Sequence, residues 1–438
     1  MINDSIPNNP WSPQDEGDHY PVMREWWTLE TLFKTLEDNR KWNLIATFSY
    51  NRESPSCFFQ YILFDITSKK YVKFKDINDK IEKLSHTKNK VDLKYEQSFF
   101  RGLYPNYHLH IEETKNNICA DIKYKAVSLP HWTAQDITNG YHPVGAEHMR
   151  YGWLLNCNLS GTLDIDNKSY KIKGKGYQEH AYGNWSYKNP AKMLSGLKKT
   201  ISVFSNLGYW YLSHLKPKIP SNISFTTENN PVGYDWFWGV ADNDWSIFYG
   251  NSMFWIREGP AFGILSVTPD GKKFYDFCNV KFHYNKLVYV KDYDFYYPSD
   301  MEIIGILDDK KIKLQVWSTT ESYDYIYPHD HDGFYKALTL FEMPGRMEGY
   351  FIDGDKKIKL LGDCKIVQQR QPSVLGHNSL DIKFIKPPKG VGIDMSLNSH
   401  YLKKKIKTKI HLAPHPKIKF TMKKSKKEEI SNGYTIII

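Results

Sequence analysis

The sequence predicts an all-β protein built from antiparallel sandwiches or barrels. Strand-like segments recur about every 8–12 residues and are separated by Gly, Asn and Asp, which is typical of such folds. Aromatic residues make up 15% of the 438 residues, with 31 Tyr and 13 Trp, while the mean hydropathy is -0.58. This composition suits strands that alternate rings with polar side chains. The sequence has no βαβ alternation and no phosphate-binding glycine loop, and its length indicates two or three domains.

The N-terminal part begins with an extended arm, residues 1–23, and continues into a segment with two interpretations. In residues 24–50, LEDNRK is a credible turn between two strands, WWTLETLFKT and WNLIATFSY. Propensity alone instead favours a helix for the first half. The apolar residues that fit helical spacing are Leu29, Leu32, Phe33 and Leu36.

The middle of the chain is predicted as strands interrupted by one helix. YHLHIEE, NNICADIKYKAV, WLLNCNLSGTLDI and KSYKIKGKGY all have strand character, and residues 245–369 form hairpins with turns at PDG and DDK. NPAKMLSGLKKTISVFSN predicts the helix, which would act as a lid over a site or as a structural cover for a barrel end. Its periodic apolar residues are Met193, Leu194, Leu197, Ile201 and Phe204.

The net charge of +10 is concentrated in the C-terminal tail, residues 376–438. The tail holds 14 Lys, no Arg and 4 acidic residues, so its net charge is 14 minus 4, or +10, and the preceding residues are neutral. Lys405, Lys407 and Lys409 alternate with apolar or small residues and predict a β-hairpin through HLAPHP with lysines on one face. We expect contact with an anionic membrane, or else a solvated face that prevents edge aggregation. The absence of Arg argues against specific nucleic-acid recognition.

Other sequence features concern the cellular compartment. No window approaches eighteen apolar residues, and the polar N-terminus lacks the pattern of a signal peptide, so we expect a cytoplasmic protein with membrane association through the tail. The cysteines are far apart and form no CxxC pair, which predicts neither a disulfide framework nor a zinc site. They are Cys57, Cys119, Cys157, Cys278 and Cys364.

Two aromatic-rich stretches carry the candidate chemistry: GKGYQEHAYGNW, residues 174–185, and GYDWFWGVADNDW, residues 233–245. Glu179 and His180 stand among glycines and rings, and Asp235 lies between Tyr and Trp on a predicted strand. A carboxyl group enclosed by rings is desolvated, so it can hold a proton near neutral pH and act as an acid. The alternative is a hydrogen-bonded network of purely structural value.

These two stretches, together with EWW at residues 25–27, resemble the carotenoid 1,2-hydratase (hydroxyneurosporene synthase) family and its lipocalin-like relatives, which include fungal Diels-Alderases. The segment FEMPGRMEGYFIDGDKKIKLLGDCKIVQQRQ stands where the family has its last motif, and the resemblance covers residues 24–371. It implies two lipocalin-like β-domains packed together, at residues 24–230 and 231–375, with a helical insertion at about 187–230. It also implies a hairpin rather than a helix at residues 25–50, and an apolar pocket whose floor carries the His motif.

The chain departs from the family pattern at several positions. Glu179 replaces the usual Asp, and Tyr182 replaces the usual Trp. Tyr249 can match a family Tyr, whereas Asn251 stands where the family has an acid. The insertion is longer than in the family, and the basic tail lies outside the resemblance. These differences weaken a direct transfer of the hydratase activity.

The resemblance implies a hydro-lyase that hydrates an alkene of an isoprenoid-type ligand without a cofactor. Glu179 or Asp235 would protonate carbon, and His180 would orient the donor or position water. Tyr182, Trp236 and Trp238 would line the path of the resulting cation. Further ligand-lining residues are Tyr177, Trp185, Tyr234, Tyr249, Trp26 and Trp27. The alternatives are a non-catalytic lipocalin-like lipid-binding protein and an isoprenoid cyclase or isomerase.

Two histidine-containing segments have residue types that bind metals, but the sequence predicts a metal at neither. In PHDHDGF, residues 328–334, neighbouring ligands point to different sides of an extended chain, which favours an exposed turn. In HLH, residues 108–110, the two histidines share a strand face, but the sequence identifies no third ligand.

Overall fold

The computed structural model describes residues 11–144, 147–186, 198, 200–203, 205–206, 209, 222–226, 232–254, 258–290, 295–326, 339–371, 378–399 and 403–424. Three antiparallel sheets account for most of them, which confirms the prediction of an all-β protein with two packed β-domains and a basic β extension. None of the helices among these residues is long and apolar enough to cross a membrane.

The first domain is a 13-stranded sheet that curls into a nearly closed barrel around an apolar core. Its strand order is β4-β3-β2-β1-β13-β12-β9-β8-β7-β6-β5, with β10 and β11 paired to β12. A short helix, α1 (Gln135–Thr138), joins β10 to β11. The strands are β1 (Arg24–Thr35), β2 (Lys41–Asn51), β3 (Ser56–Asp65), β4 (Lys70–Lys80), β5 (Leu84–Ser85), β6 (Val91–Tyr95), β7 (Ser98–Leu103), β8 (Asn106–Glu113), β9 (Ile118–Ala126), β10 (His131–Trp132), β11 (Tyr141–Val144), β12 (Glu147–Ile165) and β13 (Lys168–Gly183).

The β1–β2 hairpin corrects the helix that local propensity favoured. β1 is buried on both faces, because one face lines the barrel and the other packs against the second domain. Leu29 and Phe33 therefore point into the barrel while Leu32 points outward. When both faces of a strand are apolar, the alternation of apolar and polar residues that marks a strand is lost. The remaining spacing of apolar residues in β1 therefore resembled that of an amphipathic helix.

The N-terminal arm packs against the mouth of this barrel. Glu16 is 1% exposed, and its carboxylate accepts a hydrogen bond of 2.8 Å from the Tyr107 hydroxyl. Trp11 stacks near Trp132, with ring centroids 4.5 Å apart. The described part of the arm, residues 11–23, therefore contacts the barrel through a few buried side chains.

The second domain is an open, curved sheet with its own apolar core. Its strand order is β17-β20-β21-β22-β24-β25-β15-β16-β18-β19, with β23 paired to β24. The predicted turn at residues 269–271 lies between β18 and β19, and the one predicted at 308–310 is a two-residue turn, 308–309, between β21 and β22. The strands are β15 (Val232–Ala241), β16 (Ser246–Phe254), β17 (Glu258–Pro260), β18 (Phe262–Thr268), β19 (Tyr275–Phe277), β20 (Asn279–Val290), β21 (Phe295–Leu307), β22 (Lys310–Ser318), β23 (Tyr323–Ile326), β24 (Thr339–Asp353) and β25 (Lys356–Gln371).

The basic tail forms a third sheet of five strands, in the order β14-β26-β27-β28-β29. The sequence predicted only its last hairpin, and β14 comes from the predicted helical insertion, so that segment is not helical throughout. The described residues at 198, 200–203, 205–206 and 209 are helical. The strands are β14 (Asn222–Thr226), β26 (Asn378–Ile385), β27 (Val391–Ser399), β28 (Lys404–Ala413) and β29 (Lys417–Lys424).

The two β-domains meet through the outer face of the barrel. Rings and aliphatic side chains of β1, β12 and β13 form one apolar cluster with those of β15, β16 and β25. The indole nitrogen of Trp238 donates to the Leu155 carbonyl at 2.8 Å, so the contact has polar as well as apolar components. This interface holds the first group of candidate residues.

Candidate functional site

Strand β13 separates the two residues at the centre of the predicted motif. Successive side chains of a strand point to opposite faces of the sheet. Glu179 therefore points outward into the domain interface, while His180 points into the mouth of the barrel. The sequence predicts that His180 orients the donor Glu179 or positions water beside it. In the fold these adjacent residues lie on opposite faces of β13 and in different environments.

In the interface, the carboxyl group of Glu179 is held by three hydrogen-bond donors. Its Oε1 accepts from the Trp26 indole at 3.1 Å. Its Oε2 accepts from the Tyr151 hydroxyl at 2.5 Å and from the Tyr177 hydroxyl at 2.8 Å. Burial raises the pKa of Glu179, and these three hydrogen bonds offset only part of that effect. The carboxyl group is therefore more easily protonated than one in water.

Aromatic rings from both domains enclose this carboxyl group. Trp236 of β15 donates its indole N–H to the Tyr151 hydroxyl at 3.0 Å, and its ring lies 5.4 Å from that of Tyr177. Phe248 of β16 stacks on Trp153, with centroids 4.2 Å apart. Glu179, Tyr151 and Trp236 keep 8–9% of their surface exposed, whereas the neighbouring rings of Tyr177 and Trp153 keep none. The acid thus lies close to the surface of the interface but behind its rings.

The same interface holds a second cluster of polar side chains, which the sequence did not predict. Lys365 is fully buried, and its ammonium group lies 2.6 Å from a carboxylate oxygen of Glu342. Glu30 faces this pair from β1, and burial holds its pKa well above the usual range although the nearby Lys365 lowers it. Asn43 donates to Glu30 at 3.4 Å. Charged and protonatable groups therefore extend along the interface beyond Glu179.

His180 belongs to a different cluster, at the mouth of the barrel. Its Nε2 lies 2.8 Å from Oε1 of Glu25, its Nδ1 lies 2.8 Å from the Asp15 carbonyl, and its ring stacks on Trp27 at 4.6 Å. His19 Nδ1 contacts the same Glu25 oxygen at 2.8 Å. Burial disfavours the Glu25 carboxylate, but hydrogen bonds from His180 and His19 outweigh that cost and lower the pKa of Glu25 to about 2.

Tyr182 also lies in this barrel-mouth cluster. Its ring stacks on His19 at 3.5 Å, and its hydroxyl accepts from Arg150 at 3.3 Å. Tyr182 was predicted to line a cation path beside Glu179, but it shares the inner face of β13 with His180. The phenol therefore helps to pack the arm against the barrel.

Asp235 lies on a third surface, inside the second domain. It points away from the interface, because its neighbour Trp236 points into it. Its carboxylate lies 2.7 Å from the Arg370 guanidinium, and both side chains are fully buried. The Tyr284 hydroxyl donates a short hydrogen bond to the same carboxylate. Asp235 thus forms a buried ion pair inside the second domain and does not lie beside Glu179.

The structure sorts the predicted site residues into these three places. The interface brings together Glu179, Trp26, Tyr177, Trp185, Trp236 and Trp238, with Tyr234 at its margin. The barrel mouth holds His180, Tyr182 and Trp27. The second domain's interior holds Asp235 and Tyr249. The sequence analysis did not identify the interface residues Tyr151, Trp153 and Phe248. For two of them a sequence pattern was available: Tyr151 and Trp153 stand two apart on a predicted strand and therefore share one of its faces.

Among the described residues, His19, Glu25 and His180 are the group that could hold a metal ion, since their ligating atoms all lie within 4.8 Å of one another. The contacts from both histidines to Glu25 are 2.8 Å, which is the length of a charge-assisted hydrogen bond. Tyr50 donates to the other oxygen of Glu25 at 2.6 Å. The cluster is therefore satisfied as a hydrogen-bonded network.

Only one of the two histidine-containing segments lies among the described residues. The PHDHDGF segment lies outside the described residues. The histidines of HLH meet a carboxylate that the sequence did not identify: Asp121 Oδ2 lies 2.8 Å from His108 Nε2 and 3.3 Å from His110 Nδ1. All three are partly exposed on the outer surface of the barrel, away from the interface.

A cavity of about 530 Å³ lies at the opposite end of the barrel from this chemistry. It is bounded by the β8–β9 and β12–β13 turns, whereas Glu179 and His180 lie near the far end of β13. Most of its lining residues are polar, and the His motif is not among them, so it does not match the predicted apolar pocket with the His motif at its floor. Its lining residues are Glu112, Glu113, Thr114, Asn117, Ile118, Cys119, Asp164, Asn167, Lys168 and Ser169.

The fold and the interface define a protein of two lipocalin-like β-domains that enclose a carboxyl group and aromatic rings between them. Solved structures share this architecture. A protein from Nitrosomonas europaea described as AttH superposes with a TM-score of 0.58 at 12% identity, covering 83% of this chain and 98% of its own. Kievitone hydratase from Nectria haematococca superposes with a TM-score of 0.56 at 13% identity, covering 85% of this chain and 95% of its own.

A third structure, CghA with Sch210972, has a TM-score of 0.46 at 8% identity and covers 81% of this chain, which is too distant to bear on function. No protein-family model matches the sequence, and no curated protein matches it. At these identities the likeness establishes the lipocalin-like fold.

Proposed function

We propose that the protein binds a hydrophobic, isoprenoid-type ligand between its two β-domains and hydrates an alkene of that ligand, with Glu179 as the proton donor. The observation that carries this proposal is the interface carboxyl group, whose pKa is raised by burial among rings of both domains. That Glu179 and Trp236 remain slightly exposed supports access to the acid. One of the two solved proteins that superpose well is a hydratase by name.

The proposed reaction needs an acid in a dry, ring-lined site. The proton leaves the Glu179 carboxyl group as the π bond breaks and a C–H bond forms, which leaves a tertiary cation on the ligand. Water then forms the C–O bond, and its surplus proton returns to the carboxylate. The hydroxyl groups of Tyr151 and Tyr177 already donate to Glu179, so they would stabilise the carboxylate between the two steps.

The rings provide the second requirement, which is to stabilise positive charge without reacting with it. The face of an indole or benzene ring attracts a cation by about 0.5–2 kcal/mol. Trp236, Trp238 and Phe248 line the interface near the acid. Since His180 and Asp235 lie elsewhere, the proposal gives neither of them a role in proton transfer.

The test measures binding and conversion separately. We would incubate the full-length protein with acyclic isoprenoid alkenes such as squalene in heavy-oxygen water, and would analyse the products by mass spectrometry. Glu179→Gln should lower the conversion rate by about 10²–10⁴-fold and leave the affinity for the fluorescent polyene parinaric acid unchanged. Glu96→Gln, at an exposed position of the same domain, is the control.

Three results would overturn the proposal. Polyene binding without conversion by the wild-type protein would identify a lipid-binding protein. Products without heavy oxygen would identify a cyclase or isomerase. Full activity in Glu179→Gln would remove Glu179 as the acid.

A further inference from the structure

The β28–β29 hairpin of the tail sheet places most of its apolar side chains on one face and most of its lysines on the other. In the β28–β29 pairing, Ile406 faces Met422 and Ile410 faces Ile418 on one side. On the other side, Lys405 faces Lys423 and Lys409 faces Lys419. The register thus gives the hairpin one face with lysines at alternate positions and one mainly apolar face, which ends at the Lys404–Lys424 pair.

The apolar face is exposed at its outermost strand. Ile418, Phe420 and Met422 of β29 are 75%, 58% and 47% exposed, respectively. Within the described part of the chain, none of the buried apolar clusters includes a residue of this sheet. Three large apolar side chains at alternate positions of an edge strand form a contiguous strip, which marks an interaction surface.

The charged side chains of the hairpin that carries this strip are all basic. Residues 403–424 contain nine Lys and no Asp or Glu. One of these lysines, Lys409, pairs with Asp394 of the neighbouring strand at 3.0 Å. The hairpin is therefore strongly basic at neutral pH, and lysines flank each residue of the exposed strip along the chain.

We infer that the β28–β29 hairpin docks on an anionic lipid bilayer. Ile418, Phe420 and Met422 enter the interfacial layer, and the lysines bind the headgroups. Lysine stems are long enough to lie along apolar surface while their charges remain in the headgroup layer. Among the described residues β29 is the outermost strand of its sheet, and the backbone groups that it leaves unpaired there keep the hairpin in the hydrated interface rather than the hydrocarbon core. This inference does not rest on the proposed function.

Two other partners fit this surface less well. A nucleic acid would use the lysines but would leave Ile418 and Met422 in water, and the hairpin has no Arg for bidentate recognition of bases or phosphates. A second copy would cover the strip only by bringing two hairpins of nine lysines each together. A bilayer with anionic lipids would bury the apolar strip and would also bind the lysines through its headgroups.

The test is sedimentation of the full-length protein with vesicles of phosphatidylcholine alone or mixed with phosphatidylserine. We expect binding to the mixed vesicles only, weakening with added salt. The triple variant Lys417→Gln, Lys419→Gln, Lys423→Gln should bind about 100-fold more weakly, since each lysine near the surface contributes about fivefold. The triple variant Ile418→Ser, Phe420→Ser, Met422→Ser should also bind at least about tenfold more weakly.

A matched control removes the same charge elsewhere. Lys356→Gln, Lys357→Gln, Lys359→Gln changes three exposed lysines at the β24–β25 turn and should bind vesicles like the wild type. Circular dichroism and thermal unfolding would confirm that each variant is folded. Equal binding to both vesicle types, or equal losses in all three variants, would overturn the inference.

Two further measurements identify the competing partners. Salt-dependent binding to duplex DNA without binding to vesicles would overturn the inference in favour of nucleic acid. A dimer in light scattering that the apolar variant converts to a monomer, again without vesicle binding, would overturn it in favour of self-association.

Discussion

Replacing Glu25 with Gln tests whether the barrel-mouth cluster stabilises the first domain through charge. The carboxylate contacts His180 and His19 at 2.8 Å each and is fully buried. Its pKa falls from 4.5 to about 2, a difference of about 2.5 pH units. At 1.36 kcal/mol per unit, the charge contributes about 3 kcal/mol to the free energy of unfolding. Glu25→Gln keeps the shape and loses that contribution.

The effect has a defined pH dependence. Because the folded-state pKa of Glu25 is below that of the unfolded chain, the unfolded state binds a proton first as the pH falls. The contribution is therefore complete above about pH 4.5 and disappears near pH 2. The gap in unfolding free energy between wild type and variant should be about 3 kcal/mol at about pH 7 and clearly smaller at about pH 3.5.

Urea denaturation followed by tryptophan fluorescence measures both quantities. The control is Glu82→Gln, an exposed carboxylate on the same domain, which should change the unfolding free energy by less than about 0.5 kcal/mol. If Glu25→Gln were as stable as the wild type at neutral pH, or if the gap stayed constant down to about pH 3, the charge-based account of this cluster would be refuted.

Two further substitutions test the interiors of the domains. Asp235→Asn leaves the buried Arg370 guanidinium without a counter-charge, so urea denaturation should show a loss of about 3–5 kcal/mol; a loss below about 1 kcal/mol would mean that the pair is solvated. Gly161→Ala introduces a Cβ that would overlap the Asp121 carbonyl oxygen on the paired strand, so thermal unfolding should show a loss of about 1–3 kcal/mol. The neighbouring exposed Ser160→Ala is its control, and equal behaviour of the two variants would contradict the close approach.

The fold class was predictable because it depends on patterns that recur along the whole chain. Turn residues at regular spacing and alternating rings identify antiparallel strands without any long-range information. The β1 segment was the exception: Leu29 and Leu32 serve two different cores, and local pattern cannot reveal a strand that is buried on both sides. The tail sheet was under-predicted because β14 lies far from its partners in sequence.

The sequence indicated individual candidate residues, but it did not indicate which of them lie together in the fold. The aromatic residues near Glu179 in the sequence accompany a buried carboxyl group in the fold, and this burial raises the pKa of Glu179; its role as the acid stays a prediction. Which residues accompany it depends on strand faces and on how the domains pack, and one sequence does not specify either. Tyr151, which donates to Glu179 at 2.5 Å, comes from a neighbouring strand 28 positions earlier in the chain.

The two-sided role of β13 restricts how this chain can change during evolution. The side chains at its even positions line the inside of the first domain's barrel. Those at its odd positions form the interface with the second domain. Inserting or deleting a single residue between Gly176 and His180 would exchange these assignments, placing the histidine at the boundary and the glutamate inside. Point substitutions can accumulate along this strand, whereas changes in its length would have to come in pairs.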